Sequence, residues 1–394
     1  ALETTGTTFG VIDGDSDPVE GDAIAVSSIT VGACTDSSAP FDCTDAAVGR
    51  VQMQANGRFS FEPAPGDTGA SEVFTYILTD NGAPAPASAA PATVTLTRLE
   101  RVWYVKNDAA ALGLGRSFDP FDTLAEAQTA SVANDWIFVY FGDGATTGQA
   151  AGILLKNGQH LIGEHAGLSI PVNLNANGSP TVLHAGTPGS RPLLDDTTAG
   201  NPEGVAATDA IPVEIVGLNL AGNVNGIDLT TTVTFAASGS LEIRDNVVRS
   251  TVAEGIDVNV NGTGANVVNL SIHDNNITAG VNGIDVQRTA GTARVTAFDD
   301  NVVTGNSGGI GMLLNNVIFD STPGNPINAV LGGTTVIGAS GNGVGTQGLI
   351  LGNVTGELTF TDLDIFNDAG IGLGVLSTGA LNAGAGTGFR IAVG

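Results

Sequence analysis

What most constrains this chain is a short pattern that returns at long, nearly even steps between Val213 and Leu373. It reads Gly226-Ile227-Asp228, Gly255-Ile256-Asp257, Gly283-Ile284-Asp285, Gly309-Ile310-Gly311, Gly343-Val344-Gly345 and Gly370-Ile371-Gly372, with steps of 29, 28, 26, 34 and 27 residues. These steps are too irregular for a coiled coil, which needs a seven-residue beat. Segments alternating apolar and polar residues precede several copies, and three of them end in Asp-Asn at 245–246, 274–275 and 300–301. Period-two strands punctuated by Gly and Asn at a long repeat are the sign of stacked β coils, each burying its Ile, Val and Leu against its neighbours.

Composition agrees. Only 13% of the 394 residues are charged and 56 are Gly, which favours an all-β solenoid over a helical enzyme. A formal charge of −27 leaves no basic stripe to neutralise phosphates, so nucleic acid is excluded as a partner and divalent cations are attracted. No apolar run reaches the roughly 18 residues that span a bilayer, so no membrane span is expected. The first residue is Ala1 and the last segment, Gly388–Gly394, reads as a strand in progress, so the native polypeptide is expected to extend further.

Residues 1–98 read as a β-sandwich, with candidate strands Ile24–Val31, Gly49–Ala55, Arg58–Glu62, Ser71–Thr79 and Ala92–Arg98 separated by Gly, Asp and Pro turns. Three stretches resemble the immunoglobulin-like and cadherin-like repeats of large bacterial surface proteins: Asp13-Gly14-Asp15-Ser16-Asp17-Pro18, Asn56-Gly57-Arg58-Phe59-Ser60-Phe61-Glu62-Pro63, and Phe74 to Gly82. This copy departs from that pattern in its cysteine loop. Cys34 and Cys43 lie close in a turn-rich stretch; they read either as a disulfide closing a hairpin loop, which implies an oxidising setting, or as two reduced buried thiols. The domain boundary is expected near Arg98–Arg101, leaving 99–394 as the second domain.

That second part opens with Val102–Asn107, Pro120–Ala127 and Asn134–Tyr140: a strand, a proline-led short helix at about Leu124–Val132, and an apolar strand. The sequence resembles the start of right-handed parallel β-helix proteins, the architecture of pectate lyases and many bacterial surface passengers. The resemblance implies an N-terminal helix that caps the first coil and its open edge. Coils of about 22–30 residues predict roughly ten turns from Gly152 to Gly394 and a rod of about 50 Å. Trp103, Tyr104, Trp136, Tyr140 and Phe141 read as the packed cap, with a sugar-stacking platform as the other reading.

Asn246, Asn275 and Asn301 are expected to stack as an amide ladder. Asp228, Asp257 and Asp285 are expected to stack on the face opposite the buried Ile; like charges about 4.8 Å apart must be solvated or bridged by a cation, calcium or otherwise. A second candidate calcium group is Asp13, Asp15, Asp17, Asp22 and Asp80 with Glu20, because alternating aspartates suit an ion wanting six to eight oxygens. That spacing resembles the start of an EF-hand loop, but Pro18 and Ile24 stand where such a loop needs Gly and Glu.

Likeness to pectate lyases would demand aspartates holding calcium beside an arginine base. Arg288 with Asp257 and Asp285, or Arg244 with Asp245, are the candidates; Asp299-Asp300 alone does not make a polygalacturonase-like set. No Ser-His-Asp arrangement can be argued from spacing. The sequence therefore predicts a structural or adhesive component of a bacterial cell surface or extracellular fibre, self-associating head to tail into filaments. The alternatives are a calcium-dependent polysaccharide lyase or hydrolase, and a glycan-binding adhesin without turnover.

Overall fold

The computed structural model describes residues 2–3, 10–12, 15–16, 23–64, 71–80, 82, 89–97, 101–170, 181–196, 203–207, 212–230, 238–250, 252–262, 266–305, 308–322, 328–340, 343–366, 370–376 and 389–393. The chain divides into two compact units, residues 1–100 with 170–181 and residues 101–169 with 182–394. Strands dominate both; the one helix among the described residues is Leu124–Ala130.

The first unit is a sandwich of two antiparallel four-stranded sheets. One runs in the order Leu2–Glu3, Phe59–Pro63, Gly49–Met53, Phe41–Asp45; the other runs Cys34–Asp36, Ile24–Val31, Ser71–Asp80, Ala92–Thr97. Alternating side chains meet in one core of Val26, Ile29, Val31, Phe41, Val51, Met53, Phe61 and Phe74, as period-two patterning dictates. The strands Cys34–Asp36 and Phe41–Asp45 were not expected, being short and interrupted by turn residues. They change the meaning of the disulfide. Cys34 and Cys43 are bonded, but they lie in different sheets, so the bridge staples the sandwich across its two layers instead of closing a hairpin.

The second unit is a parallel β-helix. Three parallel faces recur in each coil, and the central coil shows the unit: Val267–His273 on the first face, Asn276–Thr278 on the second, Ile284–Ala290 on the third. In the last coils the first two faces run together through the long strands Val330–Ile337 and Thr355–Ile365. The third face holds eight strands, from Ile153–Leu155 to Ile371–Leu376. Eight strands make a stack of about 34 Å, shorter than the expected ten turns, because residues are diverted into side excursions such as the paired strands Leu168–Ile170 and Thr181–His184.

The helix opens with a capping box: Thr123 Oγ1 accepts from the Glu126 amide at 3.3 Å, and Glu126 Oε2 accepts from the Thr123 amide at 3.2 Å. Its Leu124 and Ala127 are buried against the core near Val105 and Phe121, placing it at the beginning of the column. Trp103 stacks on Phe121 with centroids 5.7 Å apart and Trp136 is buried, whereas Phe141 is exposed.

Stacking puts equivalent residues one above another. Ile153, Val205, Ile227, Ile256, Ile284, Met312 and Leu349 form one buried file of the third face. Met312, not Ile310, sits over Ile284, so the in-register glycine file is Gly204, Gly226, Gly255, Gly283, Gly311, Gly348 and Gly372. The repeat as read from sequence is therefore two residues out of step in its fourth copy, and Gly343-Val344-Gly345 precedes the strand instead of lying in it. The glycines are required by space. A Cβ on Gly255 would lie 2.3 Å from Ile277, one on Gly283 2.2 Å from Val303, and one on Gly311 2.2 Å from Ile337. Each glycine lets the third face close against the apolar side chain of the second.

The corner from first to second face is made by the Asp-Asn pairs. Asp245, Asp274 and Asp300 take left-handed φ values of 58°, 57° and 55°, which Asp tolerates better than most residues. The following asparagine then turns inward. Asn275 Nδ2 donates to Ile243 O at 2.9 Å and to Asn301 Oδ1 at 3.1 Å, while Asn275 Oδ1 accepts from the backbone and side chain of Asn246, both at 3.2 Å. All three asparagines are buried, so every one of these bonds satisfies a group that water cannot reach.

Two outcomes follow. Asn275→Ala should cost about 2–4 kcal/mol, because it orphans buried partners above and below as well as its own bonds, and chemical denaturation with urea would read it. Replacing Cys34 and Cys43 by serine should remove about 2–3 kcal/mol from the first unit, read as a lower melting temperature that reductant no longer changes.

Candidate functional site

The outward file beside the buried Ile column is Leu154, Ala206, Asp228, Asp257, Asp285, Leu313, Ile350 and Gly374. Three carboxylates from consecutive coils thus stand in register between apolar neighbours. Leu313 and Ile350 occupy the positions where the sequence repeat implied glycine. Asp285 is 6% exposed, and its Oδ1 is buried without a hydrogen-bond partner.

A second file runs alongside at the turn before each glycine: Glu203, Asn225, Glu254, Asn282. The two asparagines support the aspartates three residues on, with Asn225 Nδ2 donating to Asp228 at 3.4 Å and Asn282 Nδ2 to Asp285 Oδ2 at 3.2 Å. Asn282 Nδ2 also reaches Glu254 Oε1 at 3.2 Å. Asp257 has Glu254 in the place where its neighbours have an amide donor. Its carboxyl is pushed up to about 7, first by burial and then by Asp285, Asp228 and Glu254, all of them acidic. Burial likewise raises Asp285, Glu254 and Glu203; Gln287 and Asn282 hold Asp285 down in part.

The candidate arginines do not join this row. Arg288 follows the core side of its strand, in register with Val260, and its guanidinium bonds Asn316 O at 2.7 Å and Gly291 O at 2.9 Å at the next corner. Arg244 pairs with Glu242 at 2.5 Å and Glu214 at 3.4 Å. Asp245 is held by Arg191 and by His165, the latter at 3.1 Å. In the first unit, Asp15 is exposed and Asp80 accepts from the Gly82 amide at 3.2 Å, whereas Asp13, Asp17, Asp22 and Glu20 lie outside the described residues.

Two arrangements escaped the sequence reading. His273, Asp274 and Asp299 bring one ligand atom each to within 4.8 Å of one another at the Asp-Asn corner. They are distant in the chain, 273–274 against 299, and only coil stacking joins them. On the first face, a hollow of about 270 Å³ is lined by Trp136, Ile162, Leu168, His184, Glu214 and Arg244. Trp136 lies flat on His160, centroids 3.8 Å apart, and His160 Nδ1 is 2.8 Å from Glu214 Oε2. The opposite wall comes from the strand Thr181–His184, which no periodicity marks as a lid.

Three parallel faces stacked coil on coil define a parallel β-helix protein. A family model described as a protein of unknown function, DUF1565, matches residues 107–337, more than half of the chain, and the chain belongs to that family. No curated protein matches it. Among solved structures, the family 28 exopolygalacturonase of Yersinia enterocolitica is similar at 11% identity, covering 87% of this chain and 86% of that chain with a TM-score of 0.15, a likeness too slight to bear on the site.

The acidic row makes stability depend on pH with a definite sign. An acid whose folded pKa exceeds its unfolded value binds its proton more tightly in the folded state, so its contribution is greatest at low pH and is lost as pH rises through about 7. In metal-free buffer the second unit should lose on the order of 2 kcal/mol between about pH 4 and about pH 7.5 from this row, after discounting for solvent screening. Asp257→Asn should flatten that part of the profile, as read by denaturation midpoints across pH.

Proposed function

We propose that the protein is a structural or adhesive component of a bacterial cell surface or extracellular fibre, an immunoglobulin-like module followed by a β-helical rod. The observation that carries this reading is how the polar groups of the coils are used. The buried asparagines bond coil to coil, Arg288 ties a corner, and Arg244 joins an ion-pair string on the first face. Both candidate arginines of a lyase are engaged by the coils' own groups. The disulfide across the sandwich supports an oxidising, extracellular setting.

A second reading, a glycan-binding adhesin without turnover, is favoured by the hollow on the first face. It combines an apolar floor with Glu214, Arg244 and a buried, unpartnered His184 Nδ1, polar groups of the kind that orient a small ligand.

Electron microscopy of the native material, with a glycan array and a cleavage screen on acidic and neutral polysaccharides, tests these readings. Filaments or end-on stacks without cleavage are the expected outcome. Array binding lost in Arg244→Ala would select the adhesin. Calcium-dependent release of sugar fragments would overturn both.

A further inference from the structure

We infer that His273, Asp274 and Asp299 form a binding site for a first-row divalent transition ion of the zinc type, at the corner where two consecutive coils meet. The site goes beyond the proposed surface role and holds whether the rod binds glycans or builds filaments. Each of the three side chains brings one ligand atom to within 4.8 Å of the other two. Among the described residues this is the one group of His, Cys, Asp or Glu that converges so closely.

Coil stacking builds the group. Asp245 N donates to His273 O, and one coil further Asp274 N donates in the same way to Asp299 O, so Arg244, His273 and Asp299 stand one above another. Asp299 reaches that level because its strand carries one extra residue: Leu270 pairs with Val295, but Ser271 pairs with Ala297, and Thr296 is passed over. In an unshifted register the buried Phe298 would stand level with His273.

The coils leave these carboxylates largely unserved. At the same corners Asp245 is held by Arg191 and His165, and Asp300 Oδ1 accepts from the Thr334 amide at 2.6 Å. Asp274 meets only the His273 Nδ1 at 2.7 Å, and the Asp299 carboxylate accepts no hydrogen bond among the described residues. Arg244, next in the file, is taken by Glu242 and Glu214. A single proton shared by His273 and Asp274 offsets one carboxylate, whereas a divalent ion offsets both. The side chains of His273 and Asp274 are 19% and 49% exposed, which gives an ion a path from solvent.

The donor set selects the ion. One imidazole nitrogen with two carboxylate oxygens suits zinc and its neighbours better than calcium or magnesium, which take oxygen ligands. A tetrahedral zinc with bonds of about 2.1 Å sets its ligands about 3.4 Å apart, a spacing that these half-exposed side chains reach by small rotations. The ion takes the place of the proton between His273 and Asp274, ties one coil to the next, and keeps a fourth position for water.

The test is calorimetric titration of the chelator-treated full chain at pH 7.5 with zinc chloride and, separately, calcium chloride, paired with melting curves. A saturable event near about one zinc per chain that raises the melting temperature is expected, with calcium at least about tenfold weaker. Zinc affinity should fall at least about tenfold in both His273→Ala and Asp299→Asn. Asparagine is nearly isosteric with aspartate and removes no hydrogen bond among the described residues, so Asp299→Asn keeps the test readable if His273→Ala folds poorly. Absence of saturable zinc binding in the wild type overturns the proposal. So does zinc binding that is unchanged in either folded variant, which places the ion elsewhere, and so does calcium binding as tight as that of zinc.

Discussion

Parallel, in-register stacking is the constraint on which the β-helix depends. Each strand hydrogen-bonds to the equivalent strand of the next coil, so a residue is placed above and below residues at the same position, about 4.8 Å away. A choice made once is therefore made many times. Ile on Ile gains apolar contact at every step, and the file from Ile153 to Leu349 shows the result as a continuous column. Asn on Asn gains twice, because an amide is both donor and acceptor and can bond up and down the stack at once. Two ionised aspartates repel, and only a protonated one can donate to its neighbour.

That asymmetry explains why the buried amide ladder and the acidic row differ in character although both come from stacking. Asn246, Asn275 and Asn301 satisfy one another and the surrounding carbonyls. Asp228 and Asp285 are relieved by groups of their own coils, Asn225 and the Thr230 amide for the one and Asn282 and Gln287 for the other, and these donors do not reach the middle member. The perturbation is local: beyond it, at Leu313 and Ile350, the file returns to apolar residues.

The arginines show how little a short list of reactive residue types says about chemistry. Arg288 lies three residues beyond Asp285 and was a natural candidate for a base beside a carboxylate. The unbroken register from Ile284 onward puts Arg288 level with the buried Val260, on the core side of its strand, and its guanidinium ends among corner carbonyls. It relieves no repulsion in the acidic row. Arg244 does face outward, but between two glutamates.

The sequence by itself determined the architecture: alternating strands, the long repeat, the capping helix and the break near residue 100 all follow from local periodicity and turn chemistry, which need no partner to be read. It also determined the amide ladder, since Asp-Asn repeats at the coil period and Asp is suited to the left-handed corner. Only the tertiary structure decided the register. Side chains alternate with a period of two, so shifting the fourth copy from Gly309 to Gly311 leaves every residue facing the same way, and no pattern could choose between them. The choice was made by space, because the glycine must lie where Ile337 leaves no room for a Cβ. The same holds for the acidic row. Its members were legible in Gly-Ile-Asp, but burial between Ala206 and Leu313, the alternation of Glu254 with Asn225 and Asn282, and the orphaned oxygen of Asp285 arise only when the coils are stacked.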